Sequence, residues 1–352
     1  MKTPLAELHA EAGARFIEFA GWQMPVHYGS QLEEHHAVRN HAGCFDVSHM
    51  AVVDLDSGYA EPLLRRLLVS DVSRLNAGDA VYSLMLNERG GIVDDLITYR
   101  REHGYRLVVN AGTTRKDLDW IARCERELKT TATAHHRNEL CIIAVQGPQA
   151  VKNVRNLLNL RELNELESFT FVERADYFVA RTGYTGEDGV EVICSAEAAI
   201  DLWSRLVTNG VQPVGLGARD SLRLEAGLNL YGHDMSDDTN PFECRVAWTI
   251  DWEDEDRDFI GRSVVEHVRD EGALTKLVGL KLTERGIPRE GFAVQTKEGA
   301  GIVTSGTFSP TLKQGIALAR VPVSTRGSCQ VEVRRRLIPA KIARLPFVRR
   351  NI

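Results

Sequence analysis

The chain has 352 residues, too many for one compact core, so about two or three domains are expected. Hydrophobic residues at 43%, charged residues at 26% and few low-complexity runs exclude a disordered or fibrous protein. A net charge of −6 and a pI near 6.0 argue against nucleic-acid binding, and no apolar run approaches the roughly 20 residues that a membrane helix needs.

In chain order, Ser30 and Glu33 of GSQLEEHHAVRNHAG form a capping box and Gly43 stops the segment, which predicts a short helix between them. SGYAEPLLRRLLV, 57–69, sets Leu63, Leu64, Leu67 and Leu68 on one face of a second helix. Strands follow at 80–86, 92–99 and 105–110, the first two as a hairpin through NERGG. A helix at 114–128 and a strand near 140–148 complete an α+β sandwich of ferredoxin-like flavour. A helix at 148–159, strands around 171–194 and helices at 196–208 and 218–231 predict a second α+β unit. After EDEDRD at 253–258, a plausible connector, and from about 272 onward, short strands with Gly and Pro turns predict a small all-β barrel or jelly roll. The basic tail VEVRRRLIPAKIARLPFVRR alternates apolar and charged residues and reads as strand with a solvated face.

Cys44, Cys124, Cys141, Cys194, Cys244 and Cys329 form no CxxC pair, and no secretory n-region and h-region opens the chain. Reduced thiols in a cytoplasm are therefore expected. Adjacent histidines at EEHH and at His135-His136 lack metal-site spacing, and packing or surface exposure is expected of them. GxSxG, GxGxxG and GxxxxGK[ST] are all absent, leaving no candidate for covalent catalysis or a phosphate loop.

Three stretches carry chemistry. In GGIVDDLITYR, 90–100, two aspartates stand in an apolar strand, where carboxylates are costly. Alternation sends them to opposite faces, Asp95 with Val93, Ile97 and Tyr99, Asp94 with Ile92, Leu96 and Thr98. A two-residue turn at Glu88-Arg89 would also set Tyr82 opposite Asp95, whereas one more loop residue breaks that match. Both aspartates could instead bond nearby backbone N–H groups. In RTGYTGEDGVEV, 181–192, a glycine-rich loop delivers Glu191 to a strand start. There Glu191 either takes two hydrogen bonds from a flat heterocycle or sits exposed at an ordinary hairpin. In GLGARDSLRLEAGLNLYGHDM, Arg219 lies in a first helical turn suited to an anion; the alternative is an ion pair of Arg219 or Arg223 with Asp220, Glu225 or another carboxylate.

Together with FAGWQMPVHYGSQLEEHHAVRNHAGCFDVSHM, DFIGR and SGTFSPTLKQGIALARVP, these stretches resemble the aminomethyltransferase (T protein) family of the glycine cleavage system, in that family's order and over nearly the whole chain. The resemblance implies a three-lobed, tetrahydrofolate-dependent enzyme without a metal. Its implied domains are a folate-binding α+β domain of residues 1–49 and 141–271, an inserted ferredoxin-like domain of 50–140 and a C-terminal β-barrel domain of 272–352. It implies transfer of a one-carbon unit from the aminomethylated lipoyl arm of the H protein to tetrahydrofolate, with release of ammonia. The P and L proteins are implied as functional partners, and no nucleic acid or membrane. Asp95 then stands beside the reacting pterin nitrogen, Glu191 grips the pterin amino edge, and Tyr82, Tyr99, Tyr184 and Met50 line the pocket. Arg219 and Arg349, the latter from PFVRR, bind ligand. A carboxylate sharing a face with aromatic rings is partly desolvated, which suits exchange of a proton or hydrogen bonding with an amine.

NPFECRVAW departs from the family pattern at Glu243, Cys244 and Arg245. Rival readings are a folate-dependent demethylase domain for secondary amines, which normally follows a flavin-binding half with GxGxxG, and a folate-binding repair or tRNA-modification accessory protein with a KGCYxGQ-type motif. The chain has neither motif.

Overall fold

The computed structural model describes residues 1–56, 58–129, 134–174 and 176–349. Ser57, at the start of the helix expected at 57–69, and Arg350, at the end of the basic tail, lie outside them. The architecture is α+β, with several sheets and a closed six-stranded C-terminal barrel. Two compact units divide the chain, one of Met1–Ser83 with Leu96–Asp220, the other of Leu84–Asp95 with the chain from Ser221 onward.

In the first unit, a six-stranded sheet runs Phe171–Glu173, Tyr177–Ala180, Gly189–Ser195, Leu140–Gln146, Gly43–Asp46, Gln212–Pro213, its last pairing parallel and the others antiparallel. One face carries Val190, Val192, Cys141, Ile143 and Val145, and helices Ala150–Leu158 and Ala196–Thr208 cover it. Ala199, Leu202, Trp203 and Leu206 recur at i, i+3, i+4 and i+7, so Ala196–Thr208 buries one stripe. Each fully buried leucine contributes about 1.5–3 kcal/mol. Ser195 caps the helix by accepting from the Ala198 N–H at 3.3 Å, which is why its start is legible from sequence.

A second sheet runs Ala80–Leu86, Ile92–Arg100, Tyr105–Val109, Ala51–Leu55, Ala134–His136, with helices Ala60–Leu67 and Thr114–Leu128. Leu63, Leu64 and Leu67 are buried, as their spacing predicts. The N-terminal hairpin of Arg15–Phe19 and Trp22–His27 has no counterpart in the sequence reading. Its turn is Ala20-Gly21, both at positive φ, and alanine seldom announces such a turn. Pro25 within the second strand hides it further.

In the second unit, the tip of the Ala80–Leu86/Ile92–Arg100 hairpin differs from the two-residue expectation. The Asn87 N–H donates to Gly91 O and the Gly90 N–H to Asn87 O, so three residues form the loop, with Gly90 at φ 76°. The Tyr82–Asp95 match loses its premise. A side chain at Gly91 would meet the Asp237 carbonyl at 1.8 Å, which explains the second glycine of the pair. The tip is tied down by Asn87 Nδ2 donating to Asp237 O and Tyr231 Oη donating to Ile92 O, each at 2.9 Å.

The barrel closes in the order Thr275–Leu282, Gln314–Pro322, Gly299–Ser309, Ala293–Thr296, Ser328–Val333, Arg336–Ala343 and back to the first. Val278, Leu280, Leu282, Ala317, Ala319 and Ala340 fill its interior, while Leu277, Ile316 and Leu318 pack outward with Leu224 and Phe347. Both faces of these strands are buried, and the alanines leave room inside a narrow barrel. Several helices differ from expectation, Ala6–Glu11 among them as one not expected. The one expected at 218–231 is Leu216–Glu225, because Gly227 at φ 71° ends it in a Schellman motif: Leu228 N donates to Arg223 O and Gly227 N to Leu224 O. Helix Arg262–Glu271 was not expected at all, and EDEDRD leads into it instead of directly into the barrel.

Candidate functional site

The glycine-rich loop after Ala180 is closed at its neck by a bidentate pair, Arg181 to Asp188, at 2.9 and 2.7 Å. Inside it lies Gln146, with no exposed surface; its Nε2 donates to Thr182 O at 3.1 Å and its Oε1 accepts from Thr185 Oγ1 at 2.9 Å. A Cβ at Gly183 would fall 2.0 Å from that oxygen, so glycine is needed there. Arg39 adds donors to Thr185 O and to Glu187 Oε1. The loop is thus a rigid frame, not a slack connector.

Glu191 sits one strand position from the apolar core but on the opposite face. Cross-strand pairing sets it in the row Phe171, Ala180, Glu191, Ala144, Phe45, and the two flanking alanines leave space beside the carboxylate. It is 8% exposed and its Oε2 accepts from Thr182 Oγ1 at 2.6 Å. Tyr99 Oη lies 3.4 Å from the same threonine oxygen, and its ring meets Phe171 and Phe178 edge-on at 5.7 and 5.1 Å. Burial, with the Glu191 charge beside it, raises the Tyr99 phenol well above its ordinary value, so it stays a neutral hydrogen-bonding group.

Arg219, in the first unit's end of helix Leu216–Glu225, stacks its guanidinium over the Tyr184 ring at 4.7 Å. Burial lowers its pKa, opposed by Glu191 and Tyr184. Its Nη1 is buried and has no hydrogen-bond partner among the described residues. The ion pair considered for this helix exists at Arg223, whose Nη1 donates to Asp234 at 2.9 Å within the second unit.

Of the sequence-derived site residues, Glu191, Tyr99, Tyr184 and Arg219 therefore gather around one loop of the first unit. Met50, at the end of the turn after Gly43–Asp46, and Tyr82, in Ala80–Leu86, are half-buried in that unit. Asp95 belongs to the second unit and is half-buried, while its neighbour Asp94 has no exposed surface. Arg349, also in the second unit, is exposed; the N–H of its predecessor Val348 bonds Glu225 O at 3.1 Å. Thr182 and Gln146 were missed. Thr182 stands within the quoted RTGYTGEDGVEV stretch, but Gln146 comes from a separate segment, and only strand pairing brings it in.

Residues 5–254 match the GCVT N-terminal domain, and residues 275–349 match the glycine cleavage T-protein C-terminal barrel domain. The chain belongs to the glycine cleavage T-protein family. Aminomethyltransferases of Chromobacterium violaceum and Methylococcus capsulatus are 48% and 49% identical to it, each over 99% of this chain and 97% of theirs. The crystal structure of glycine cleavage system aminomethyltransferase T from Bartonella henselae superposes with a TM-score of 0.94 at 37% identity, covering 99% of this chain and 98% of that one. This T-protein family member is an aminomethyltransferase of the glycine cleavage system. Among its described residues no helix is long and apolar enough to cross a membrane.

Proposed function

We propose that the enzyme transfers the one-carbon unit of an aminomethyl group, carried on the lipoyl arm of the H protein, to tetrahydrofolate, yielding methylene-tetrahydrofolate, ammonia and dihydrolipoyl H protein. It would act in the cytoplasm, functionally alongside the P and L proteins. The observation that carries the reading is Glu191: a carboxylate on a rigid strand, held by Thr182, flanked by alanines and neighboured by aromatic rings and an arginine with an unused donor. Such a group suits a flat heterocycle presenting adjacent N–H and amino donors, as a pterin does.

In this reading Glu191 receives the pterin amino edge, Arg219 binds ligand, and Tyr82, Tyr99, Tyr184 and Met50 line the site. Tetrahydrofolate supplies the nucleophilic nitrogen. Asp95 is assigned to orient that nitrogen and to support positive charge developing at the transferred carbon. The roles of Asp95 and Arg349 rest on the resemblance of GGIVDDLITY and PFVRR to the family's motifs. The proposed domains are 1–49 with 141–271, 50–140 and 272–352; the strand sets at 43–46 with 140–213, at 51–136 and at 275–343 support that division.

The test mixes purified enzyme with aminomethylated H protein and tetrahydrofolate and measures ammonia and methylene-tetrahydrofolate. Folded enzyme that forms neither product defeats the proposal. Asp95→Asn is expected to retain tetrahydrofolate binding while losing turnover, and full turnover in that variant removes the role of Asp95.

A further inference from the structure

His49 has a place in the first unit that the reading above does not use. It follows strand Gly43–Asp46 in a turn fixed by three sets of bonds: Ser48 N donates to Asp46 Oδ1 at 2.9 Å, Met50 N donates to Val47 O at 3.0 Å, and Ser48 Oγ accepts from Ile142 N at 3.0 Å. The edge of Phe19 sets the imidazole plane, at 84° and 5.5 Å. The ring is 6% exposed, yet its Nδ1 has no hydrogen-bond partner among the described residues. Leaving such a nitrogen unmet costs about 1–3 kcal/mol. Close enough to influence its charge is Arg219, whose Nη1 is likewise unmet. Burial, reinforced by the Arg219 cation and opposed by Asp46, depresses the imidazole to about 4, so the ring is neutral at physiological pH.

The two unmet buried nitrogens thus belong to groups that feel one another's charge, and Arg219, stacked on Tyr184 of the same loop, also feels the carboxylate of Glu191. A guanidinium offers only donors, and a neutral imidazole offers one N–H whose position its partner selects. The complement of a carboxylate for N–H donors with this pair for an acceptor is a ring edge carrying amino and N–H groups next to an oxo group. We propose that His49 is a ligand-binding residue, its Nδ1–H and the Arg219 Nη1–H forming a donor pair for the ring oxo oxygen of the heterocycle whose amino edge Glu191 receives. This rests on the pterin reading of the site.

The experiment compares binding of tetrahydrofolate with that of a 2,4-diaminopteridine, in which an amino group replaces the oxo group, to wild type, His49→Leu and His49→Asn. His49→Leu is expected to lose about tenfold in affinity for tetrahydrofolate with the diamino probe little changed, and His49→Asn, whose amide can donate from nearly the same place, to recover most of it. Equal losses for both probes, or none, overturn the assignment. Should His49→Leu fail to fold, the imidazole nitrogen resonances of wild type decide: the Nδ1 signal is expected to move with tetrahydrofolate and not with the diamino probe, and a signal indifferent to both overturns it. If wild type binds neither probe, the pterin reading itself falls and takes this one with it. Tetrahydrofolate bound equally well by wild type and His49→Leu removes His49 alone.

Discussion

Arg219 and Arg223 stand one turn apart on helix Leu216–Glu225, yet their surroundings are opposite in kind. Arg223 is 2% exposed and saturated: Asp234 takes its Nη1 at 2.9 Å together with the Leu228 carbonyl at 3.1 Å, and Ser305 Oγ takes its Nη2 at 2.9 Å. Asp234 in turn accepts from Leu230 N and Ser305 Oγ as well. Arg219 leans on the face of Tyr184, feels Glu191, and keeps a buried nitrogen without a partner among the described residues. One arginine completes a structure; the other keeps a donor unused among the described residues. Number and type of charge are the same, so it is the count of satisfied donors that separates the two.

The largest expected effect tests the saturated side. Asp234→Ala leaves the Arg223 charge buried and uncompensated and should lower stability by roughly 3–5 kcal/mol in urea unfolding at pH 7. Arg219→Ala should cost less than about 1 kcal/mol in the same assay. Comparable losses in the two variants would erase the distinction. On the ligand side, Glu191→Gln should weaken tetrahydrofolate binding by about 1.5–3 kcal/mol, read by titration, with its unfolding midpoint nearly unchanged. A third variant joins frame to function: Gly183→Ala drives a methyl group into Gln146, costing about 1–3 kcal/mol of stability, and should weaken tetrahydrofolate binding through Thr182 and Glu191. Loss of stability with binding intact would show that the loop need not be rigid.

The smallest effect is a pH dependence. The His49 pKa is depressed from 6.5 to about 4 by burial and by Arg219, with Asp46 opposing. The unfolded chain therefore takes up the proton first as pH falls. Stability associated with the neutral imidazole is fully present above about pH 6.5 and declines as pH drops toward 4, by on the order of 1–3 kcal/mol. Unfolding free energies measured at intervals across that window should flatten in His49→Asn relative to wild type. Parallel curves would mean that His49 does not titrate between these states.

Local pattern was enough wherever an element is decided by its own residues. Thr114–Leu128 and Ala196–Thr208 match expectation to the residue, since their apolar stripes and flanking polar residues act within a few turns. Strand alternation likewise separated Asp94, fully buried, from Asp95, half-buried. The C-terminal strands were legible as a barrel or jelly roll, but closure depends on Arg336–Ala343 pairing with Thr275–Leu282, more than fifty residues away, which no local pattern encodes. Backbone conformation overrode composition at the Ala20-Gly21 hairpin and at Gly227, where the expected 218–231 helix stops at Glu225.

The sequence by itself determined the element types, the two-faced strand with its aspartates and, through shared motifs, the family. Tertiary structure alone decided that Glu191 lies between two alanines, that Gln146 pins the loop before it, and that His49 and Arg219 each keep a buried nitrogen without a partner among the described residues. Those relations join residues that are not neighbours along the chain, and they arise because strand pairing and burial choose which polar groups are satisfied and which stay unmet.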